Sequence, residues 1–453
     1  MIVVSHRGPV SFRREPDGTF VSGRGAGGVV SALAPLLAGH TDAHWIAAAI
    51  SDDDRAAVKA GEVIIDGINV ELLALDAETH RRHYDVISNR ILWFCFHGLF
   101  DLAREPVFDA ALHDAWDAYR TVNRTFAEAI AARAPENDVV LVQDLQLLLV
   151  PAFLRELRGD LAVSHFTHTP FCGPNSVRVL PDHMARELCE SLATTSAGFH
   201  SDRWARAYRA SAVEVLGGAA PDAFCATFGP DAADLAATAE LAATADARAA
   251  LDARVGDRRC IVRADRMELS KNIGRGFIAF DELLDRHPEW RERVCFVAML
   301  NPSRGTLQEY RDYRTEVEAI AERVNQRWAT GDWEPIIVDT RDDFPRSVAA
   351  LQRADVILVN PVKDGLNLVA LEGPLLNQRD AALCLSREAG AFDLLASDCL
   401  PVQPFDVSQT ADALHDALSM KGDERARRAV GLRAAALARP AHLWLDELVS
   451  QAR

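Results

Sequence analysis

The chain has 453 residues, 49% of them hydrophobic and 25% charged, a composition typical of globular proteins with two or three domains. Its 66 acidic residues outnumber 49 basic ones, which gives a formal net charge of −17. So acidic a chain gains little from counterion release on a polyanion, and we therefore expect no nucleic-acid partner.

The eight cysteines include no CxxC pair and no Cys/His spacing typical of a metal site. Most lie in apolar runs such as Trp93–Cys95 and Val294–Phe296, a pattern that indicates reduced core residues. We find no signal peptide and no apolar run long enough to cross a bilayer. These features predict a cytoplasmic protein without a membrane partner.

In the first half, apolar β-branched runs alternate with helical patterns, and several of the runs end on polar residues. The strand Met1–Ser5 is followed by Arg7, the run from residue 138 ends at Asp144, and the run from residue 161 ends at His168. An arginine at a strand end is either a solvated residue or a phosphate clamp. A histidine there is more often structural, but pairing with Asp144 makes His168 a site candidate.

Three further features of the first half have a structural interpretation and a functional one. The stretch Gly23–Gly28 opens a helical pattern, and such a loop lets the backbone approach a diphosphate. Trp45 lies in the strand His44–Ala49, and the segment Tyr84–Trp93 has an aromatic residue at each end, for which core packing is the simplest interpretation. The adjacent carboxylates Asp52–Asp54 suggest a metal site, but such a cluster is more often found at a helix start.

The composition becomes rich in Ala, Gly and Asp over residues 217–253, where we place a domain boundary at about residue 229. The β-α alternation then resumes. The strand Ile261–Ala264 contains Arg263, and a helical pattern begins at Lys271.

The stretch from Ala354 to Glu372 has the clearest strand-turn-helix pattern of the second half. A buried strand over Ala354–Asn360 is followed by a turn containing Asp364, and a helical pattern starts at about Asn367. Such a turn brings free backbone N–H groups to the carboxyl edge of a sheet, where open α/β folds bind ligands. The alternative interpretation is an ordinary βα turn with a solvated aspartate.

Strands alternating with helices throughout predict an α/β fold with two doubly wound parallel sheets, one per half. If the two sheets face each other across a cleft, the polar residues at the strand ends line it. These are Arg7, Trp45, Asp144, His168, Arg263, Lys271, Arg304 and Asp364. Several cations for phosphate groups, with an Asp and a His near a sugar, suit transfer of a sugar from a nucleotide diphosphate to a phosphorylated acceptor.

Seven groups of residues in order extend this interpretation to a family. They are Val4–Arg7, Gly27–Ser31, Tyr84 with Ser88–Asn89 and Leu92–Trp93, His168–Pro170, Arg263–Asp265 with Ser270–Lys271, Pro302–Gly305, and Asp364–Glu372. From Val3 to about Leu448 the chain resembles the trehalose-6-phosphate synthase family, to which validamycin-type pseudo-glycosyltransferases are related. The resemblance implies a GT-B fold and a retaining, front-side transfer without a required metal or other cofactor. It implies an N-terminal domain of residues 1–228 joined by a final helix, 441–453, and a C-terminal domain of residues 229–440.

The resemblance also implies a role for individual residues. Arg7, Tyr84 and Arg304 would hold the acceptor phosphate, Trp45 and Trp93 would shape that pocket, and Asp144 would contact acceptor hydroxyls. Gly28 would let a loop close over the donor. The donor would be bound by Arg263, Lys271, His168, Asp364 and the backbone of Leu366, Asn367, Leu368 and Val369, with Glu372 on the ribose. Asp144, His168, Arg263 and Lys271 would be the catalytic residues.

The chain departs from the family pattern at three places. Gln143–Leu147 stands where the family usually has His-Asp-Tyr-His-Leu, and Phe171–Asn175 replaces an aromatic-Pro-Ser run, so the acceptor is less certain than the reaction class. Asp342 stands near the expected donor base, where its carboxylate would accept from N1–H and the 2-amino group of guanine. Asp342 could equally cap the helix Arg346–Arg353, so GDP-glucose is favoured over UDP-glucose only slightly.

The sequence therefore predicts small-molecule substrates, a nucleotide sugar and a sugar phosphate, and it leaves open a homo-oligomer. A relative that acts on another phosphorylated polyol or cyclitol is the main alternative. A catalytically silent sugar-phosphate-binding homologue is disfavoured, because the whole donor set is retained.

Overall fold

The computed structural model describes residues 1–25, 28–37, 43–60 and 68–453. These residues form two compact units, the first made of Met1–Phe228 with Ala441–Arg453 and the second of Gly229–Pro440. Within the described residues, no helix is long and apolar enough to cross a membrane.

Unit 1 contains a parallel sheet in the order β5-β4-β1-β6-β7-β8-β9 and a separate antiparallel hairpin, β2-β3. The central strands β1 and β6 are buried along their whole length, as expected for a sheet covered on both faces. The strands are β1 (Ile2–Val4), β2 (Val10–Arg14), β3 (Phe20–Arg24), β4 (His44–Ala48), β5 (Asn69–Leu73), β6 (Val139–Gln143), β7 (Ala162–Thr167), β8 (Ser196–Phe199) and β9 (Ala223–Cys225).

The helices of unit 1 include one contributed by the far end of the chain. This C-terminal helix, Ala441–Ala452, buries Trp444 against Phe166 and Phe228, with ring centroids 5.3 and 4.7 Å apart. The others are α1 (Gly28–Leu37), α2 (Asp52–Ala60), α3 (Ala77–Arg81), a π-helical segment (Arg82–Leu92), α4 (Trp93–His97), α5 (Ala110–Arg133), α6 (Val150–Leu157), α7 (Pro174–Val177), α8 (Asp182–Ala193) and α9 (Asp202–Leu216).

Unit 2 contains a parallel sheet in the order β12-β11-β10-β13-β14-β15, with one continuous hydrophobic core. The strands are β10 (Arg259–Arg266), β11 (Val294–Asn301), β12 (Ile336–Asp339), β13 (Val356–Val359), β14 (Ala382–Ser386) and β15 (Leu400–Val402). The helices are α10 (Ala232–Ala239), α11 (Ala242–Val255), α12 (Ile273–Arg286), α13 (Gln308–Trp328), α14 (Phe344–Arg353), α15 (Val369–Leu376), α16 (Phe392–Leu395), α17 (Val407–Ser419) and α18 (Gly422–Leu437).

The structure adds elements that the apolar patterns did not indicate. The hairpin β2-β3 alternates buried and exposed residues only in part, and β9 has three residues, none of them buried. Short or partly exposed strands give little periodic signal, so both were missed. The segment Tyr84–Trp93, for which core packing was expected, is largely π-helical.

Candidate active site

Four adjacent parallel strands of unit 1, in the order β1-β6-β7-β8, bring their carboxyl ends to one edge of the sheet. Arg7, Asp144, His168 and His200 lie just beyond these four ends. This edge is where open α/β sheets bind ligands.

Arg7 and Tyr84, both predicted to hold the acceptor phosphate, are in contact. The Arg7 guanidinium donates to the Tyr84 hydroxyl at 3.2 Å, and the Tyr84 ring stacks on buried His6 with centroids 4.4 Å apart. The pKa of His6 is well below its usual value because of burial and of the neighbouring His83, His80 and Arg7. A neutral His6 leaves Arg7, which is exposed, as the cation of this cluster.

The two tryptophans predicted to shape the acceptor pocket are both buried. Trp45 has no exposed surface and donates from Nε1 to Ser5 Oγ at 2.7 Å, and Ser5 Oγ donates in turn to the Arg7 carbonyl at 2.6 Å. Trp93 is 8% exposed and stacks on His97 at 4.2 Å. In this structure Trp45 therefore supports the loop that carries Arg7.

Asp144 has a backbone conformation that is unusual for any residue with a side chain. Its φ and ψ are 70° and 174°, a region populated almost only by glycine. In this conformation its carboxylate reaches the end of β7, where Oδ1 accepts from the backbone N–H of His168 at 3.2 Å. The predicted pair Asp144 and His168 is thus brought together.

The His168 side chain is held at both ring nitrogens. Nε2 lies 3.0 Å from Gln143 Oε1, and Nδ1 lies 3.0 Å from His200 Nε2. Its pKa is well below the usual value because the ring is buried and because His200 and His165 would repel a second positive charge. Gln143 and His200 were not predicted as functional residues. The departure from the family pattern at Gln143 was the sequence signal that could have indicated a changed site.

In unit 2, Arg263 is more deeply buried than the sequence indicated. Its side chain has no exposed surface and donates to Asp265 Oδ2 at 2.7 and 3.1 Å, to Asn360 Oδ1 at 3.1 Å and to the Lys271 carbonyl at 2.9 Å. Gly276 makes room for the guanidinium, since a Cβ there would lie 2.7 Å from Arg263 Nη1. Arg263 is thus a buried paired cation beside Lys271.

Lys271 and Asp364, both predicted donor-binding residues, form an ion pair with Nζ and Oδ2 2.6 Å apart. Burial lowers the pKa of Lys271, but Asp364, Asp265 and Glu268 outweigh that effect and raise it. Lys271 is therefore fully protonated at neutral pH. Asp364 also accepts from Asn367 Nδ2 at 3.0 Å.

The turn between β13 and α15 presents the predicted backbone groups. Among the described residues, the amides of Leu366, Asn367 and Leu368 donate to no recorded acceptor, as expected at a helix start. Asn367 has a φ of 74°, and Val369 is the first residue of α15. These amides and the Lys271–Asp364 pair lie at the same sheet edge.

Glu372, predicted to bind the ribose, lies one turn into α15 with little exposure. Burial raises its pKa to about 7. A carboxylate held out of water without a cation gains from ligand hydroxyls that donate to it.

Arg304 donates to the hydroxyl of buried Tyr310 at 2.5 Å and has a φ of 45°. Close by is Glu268, a fully buried carboxylate that the sequence did not single out and that accepts from Ser303 Oγ at 2.9 Å. Burial raises the pKa of Glu268, but Arg266, Arg304 and Lys271 outweigh this and hold it at about 2. Glu268 therefore carries a charge between two predicted phosphate-binding cations.

The structure excludes one of the two interpretations of Asp342. The N-cap of α14 is Asp343, whose carboxylate accepts from the Arg346 N–H at 3.2 Å, so the alternative that Asp342 caps this helix is wrong. Asp342 is exposed, and its Oδ1 accepts from Asn301 Nδ2 at 3.0 Å.

One predicted feature, the loop at Gly28, lies only partly within the described residues. Gly28 is the first residue of α1, while the preceding loop residues 26–27 lie outside the described residues.

Among the described residues, His287, Glu289 and His415 form a group that could hold a metal ion, at the opposite end of α12 from Lys271. Trp290 Nε1 donates to His415 Nδ1 at 3.1 Å, which occupies one of its ligand atoms.

Solved structures with the same fold cover the whole chain. An α,α-trehalose-phosphate synthase (UDP-forming) from Burkholderia vietnamiensis is 28% identical with a TM-score of 0.84, over 100% of this chain and 99% of the other. One from Burkholderia xenovorans, in complex with glucose-6-phosphate, is 26% identical with a TM-score of 0.85 over the same shares. The chain therefore has a GT-B fold, as predicted, and is a glycosyltransferase.

Sequence comparison narrows the class to a family. Residues 1–453 match the model of Glycosyltransferase family 20. A UDP-forming α,α-trehalose-phosphate synthase of Schizosaccharomyces pombe is 32% identical over 94% of this chain and 85% of its own length. A second, from Aspergillus niger, is 30% identical over 94% and 91%. The chain belongs to glycosyltransferase family 20, which confirms the family that the motifs indicated.

Proposed function

We propose that the protein transfers glucose from a nucleoside diphosphate to glucose 6-phosphate with retention of configuration, forming trehalose 6-phosphate. The observation that carries the proposal is the Lys271–Asp364 pair, which stands beside free backbone amides at a sheet edge in a chain of this family. Relatives named trehalose-phosphate synthases, one in complex with glucose-6-phosphate, support both substrates.

The chemistry requires positive charge at the leaving diphosphate. As the glycosidic bond breaks, charge develops on the phosphate oxygens, and Lys271 with Arg263 stabilises it more in the transition state than in the ground state. Asp364 and the amides of Leu366–Val369 orient the donor sugar, and Glu372 accepts from ribose hydroxyls. The leaving phosphate takes the proton of the attacking hydroxyl, so the side chains supply position and charge.

Arg7, Tyr84 and Arg304 hold the acceptor phosphate, with Asp144 on the acceptor hydroxyls. Contact between Arg7 and Tyr84, and exposure of Arg7, support this assignment. A different phosphorylated polyol or cyclitol would use the same clamp, so acceptor identity is decided by assay.

For the donor base we favour guanine. Asp342 is exposed, is held by Asn301 and is not needed as a helix cap, since Asp343 has that role. Its carboxylate offers two acceptors to the N1–H and 2-amino donors of guanine, whereas uracil has no such pair. The relatives named above are UDP-forming, which makes donor choice the sharpest test.

The test is release of nucleoside diphosphate from GDP-glucose and UDP-glucose, with and without glucose 6-phosphate, with the product identified by NMR. We expect acceptor-dependent release, an α,α-linked product and a higher kcat/KM for GDP-glucose. Loss of one charged hydrogen bond in Asp342→Asn should lower kcat/KM for GDP-glucose about 10-fold or more. The value for UDP-glucose should stay almost unchanged.

Asp343→Asn is the matched control, because asparagine also caps helices and the neighbouring position should not affect donor choice. If the protein prefers UDP-glucose and Asp342→Asn leaves kcat/KM for both nucleotide sugars unchanged, only the assignment of guanine is wrong. Absence of release from either nucleotide sugar with glucose 6-phosphate would overturn the reaction itself. Release with a cyclitol or another polyol phosphate instead would reassign the acceptor.

A further inference from the structure

A row of four hydrogen-bonded side chains runs along the carboxyl edge of the unit 1 sheet. Thr227 Oγ1 lies 3.4 Å from His200 Nδ1, His200 Nε2 lies 3.0 Å from His168 Nδ1, and His168 Nε2 lies 3.0 Å from Gln143 Oε1. His200 and Gln143 are 5% and 1% exposed, whereas His168 and Thr227 are partly exposed. Of these four residues, the family resemblance implies a role only for His168, as a ligand of the donor sugar.

The row is fully hydrogen-bonded when each imidazole carries one proton. If a neutral His168 donates from Nε2–H to the Gln143 oxygen, its Nδ1 accepts from His200 Nε2–H, and His200 Nδ1 accepts from the Thr227 hydroxyl. The nitrogen of the Gln143 amide has no recorded partner. If the amide is rotated by 180° so that this nitrogen faces His168, every hydrogen bond in the row runs in the opposite direction. In each direction a neutral His168 has one defined tautomer, Nε2–H in the first and Nδ1–H in the second.

The surroundings of His168 favour the same state. Its ring meets Phe166, Phe228 and Trp444 at centroid distances of 5.0, 6.3 and 5.7 Å. The titratable groups that face it are His200, His165 and Asp144, and the Asp144 carboxylate accepts from the His168 backbone N–H. No described carboxylate is therefore paired with the His168 ring to stabilise an imidazolium.

We propose that His200 is a positioning residue for glycosyl transfer, one that holds the His168 ring neutral and in one tautomer beside the donor sugar. This role of His200 rests on the proposed function. In the proposed reaction, positive charge develops on the anomeric carbon as the diphosphate leaves. An imidazolium at His168 would repel that charge, and a freely turning ring would lose its contact with the sugar.

The test uses two variants of the full-length protein that differ in one property. His200→Gln keeps a group that both donates and accepts, and His200→Leu keeps comparable bulk without either. Nitrogen-15 histidine labelling with long-range 15N–1H correlation distinguishes protonated from unprotonated ring nitrogens. The His168 signals are assigned by their absence in His168→Gln, and thermal unfolding checks that each variant is folded.

In the wild type and in His200→Gln we expect one protonated and one bare nitrogen at His168 at pH 7, with no tautomer averaging. In His200→Leu we expect averaged signals. In both variants the acid limb of kcat/KM for the donor should move to higher pH, because the His200 repulsion that lowers the pKa of His168 is gone. At neutral pH we expect about a 10-fold lower kcat/KM in His200→Leu and values within about threefold of wild type in His200→Gln.

Averaged or doubly protonated His168 signals in the wild type would overturn the proposal. So would a His200→Leu protein whose spectrum and acid limb match the wild type, or a His200→Gln protein as impaired as His200→Leu. The nitrogen spectra need no substrate, so failure of the proposed reaction and failure of the positioning role are seen separately.

Discussion

Asp144, Asn272, Arg304 and Asn367 lie beyond the ends of parallel strands and have positive φ angles of 70°, 59°, 45° and 74°. For residues other than glycine, such angles cost about 1–3 kcal/mol each at the most sparsely populated conformations. The strain persists because hydrogen bonds hold these turns, as Asp144 Oδ1 is held by the His168 N–H.

Arg263 illustrates how charge and burial interact at one residue. Its guanidinium is fully buried, and Asp265, also buried, has a raised pKa because desolvation outweighs the attraction of Arg263 and Lys271. Removing Arg263 leaves that carboxylate unpaired, which destabilises a protein by about 3–5 kcal/mol. Lys271, whose side chain is 14% exposed, is the cleaner position at which to test donor binding.

The raised pKa of Glu372 predicts how the free energy of unfolding depends on pH. Its pKa is raised from 4.5 in the unfolded chain to about 7, so unfolding releases a proton between these values and the folded state loses stability as pH rises through them. The loss is at most on the order of 3 kcal/mol. Glu372→Gln should not show this pH-dependent loss. As pH rises from 5 to 8, its free energy of unfolding should therefore increase relative to that of the wild type.

Urea unfolding of both proteins at several pH values measures this difference. Glu240→Gln, at an exposed glutamate of the same unit, is the control. Parallel pH profiles for wild type and Glu372→Gln would contradict the prediction. Glu372→Gln should also weaken donor binding, because an amide accepts fewer ribose hydroxyls than a carboxylate.

At the scale of elements, two loops that follow neighbouring strands hold each other in place. The Asp364 N–H donates to the Glu388 carbonyl at 3.1 Å, the Gly390 N–H to the Asp364 carbonyl at 3.1 Å, and the Ala391 N–H to the Leu366 carbonyl at 2.8 Å. The loop after β14 therefore sets the position of the donor turn after β13. This pairing joins backbone groups and has no signature in the apolar pattern.

Gly390 is the position where this pairing is most sensitive. A Cβ there would lie 1.9 Å from the Gly365 carbonyl oxygen, so Gly390→Ala has to push the two loops apart. We expect a loss of about 1–3 kcal/mol in stability. Displacing the donor turn by about 1 Å should also lower kcat/KM for the nucleotide sugar by about 100-fold.

Gly422→Ala serves as the control, since a Cβ at that helix start meets nothing within 4 Å. Denaturant unfolding and donor kinetics are measured on both variants. Donor kinetics in Gly390→Ala equal to those of Gly422→Ala would show that the loop after β14 does not position the turn.

At the scale of the whole molecule, the chain returns to its first unit after building its second. The C-terminal helix buries Trp444 to 1% exposure beside Phe166, Phe228 and His168. Residues at both ends of the sequence therefore complete the core under the carboxyl edge of the unit 1 sheet. Unit 2 has its own core over residues 229–440.

Trp444→Ala should therefore destabilise unit 1 selectively, by about 3–5 kcal/mol, the usual cost of removing a large buried aromatic side chain. Hydrogen exchange followed by mass spectrometry should show lost protection in peptides from β6, β7 and β8, with β10 and β11 unchanged. Leu443→Ala, at a neighbouring residue that is 49% exposed, is the control and should change neither set. Equal loss in peptides of both units would contradict the assignment of this helix to unit 1.

Much of the fold was predictable because local patterns encode it. The strand predicted over Ala354–Asn360 is found as Val356–Val359, and the helix predicted from about Asn367 begins at Val369. Buried parallel strands are continuous apolar runs, and polar residues at their ends mark the ligand edge. The family likewise follows from short motifs, each of which is contiguous in the chain.

The sequence by itself determined the α/β class, the family and which polar residues follow which strands, since all three depend on the order of neighbouring residues. Only the tertiary structure decided that Arg263 is buried, that Asp343 and not Asp342 caps α14, and that Glu268 is charged between cations. Arg263 meets Asn360 across 97 positions and His168 meets His200 across 32. Burial, pKa and the choice of hydrogen-bond partner depend on such distant neighbours, because the local dielectric and the available donors are set by packing.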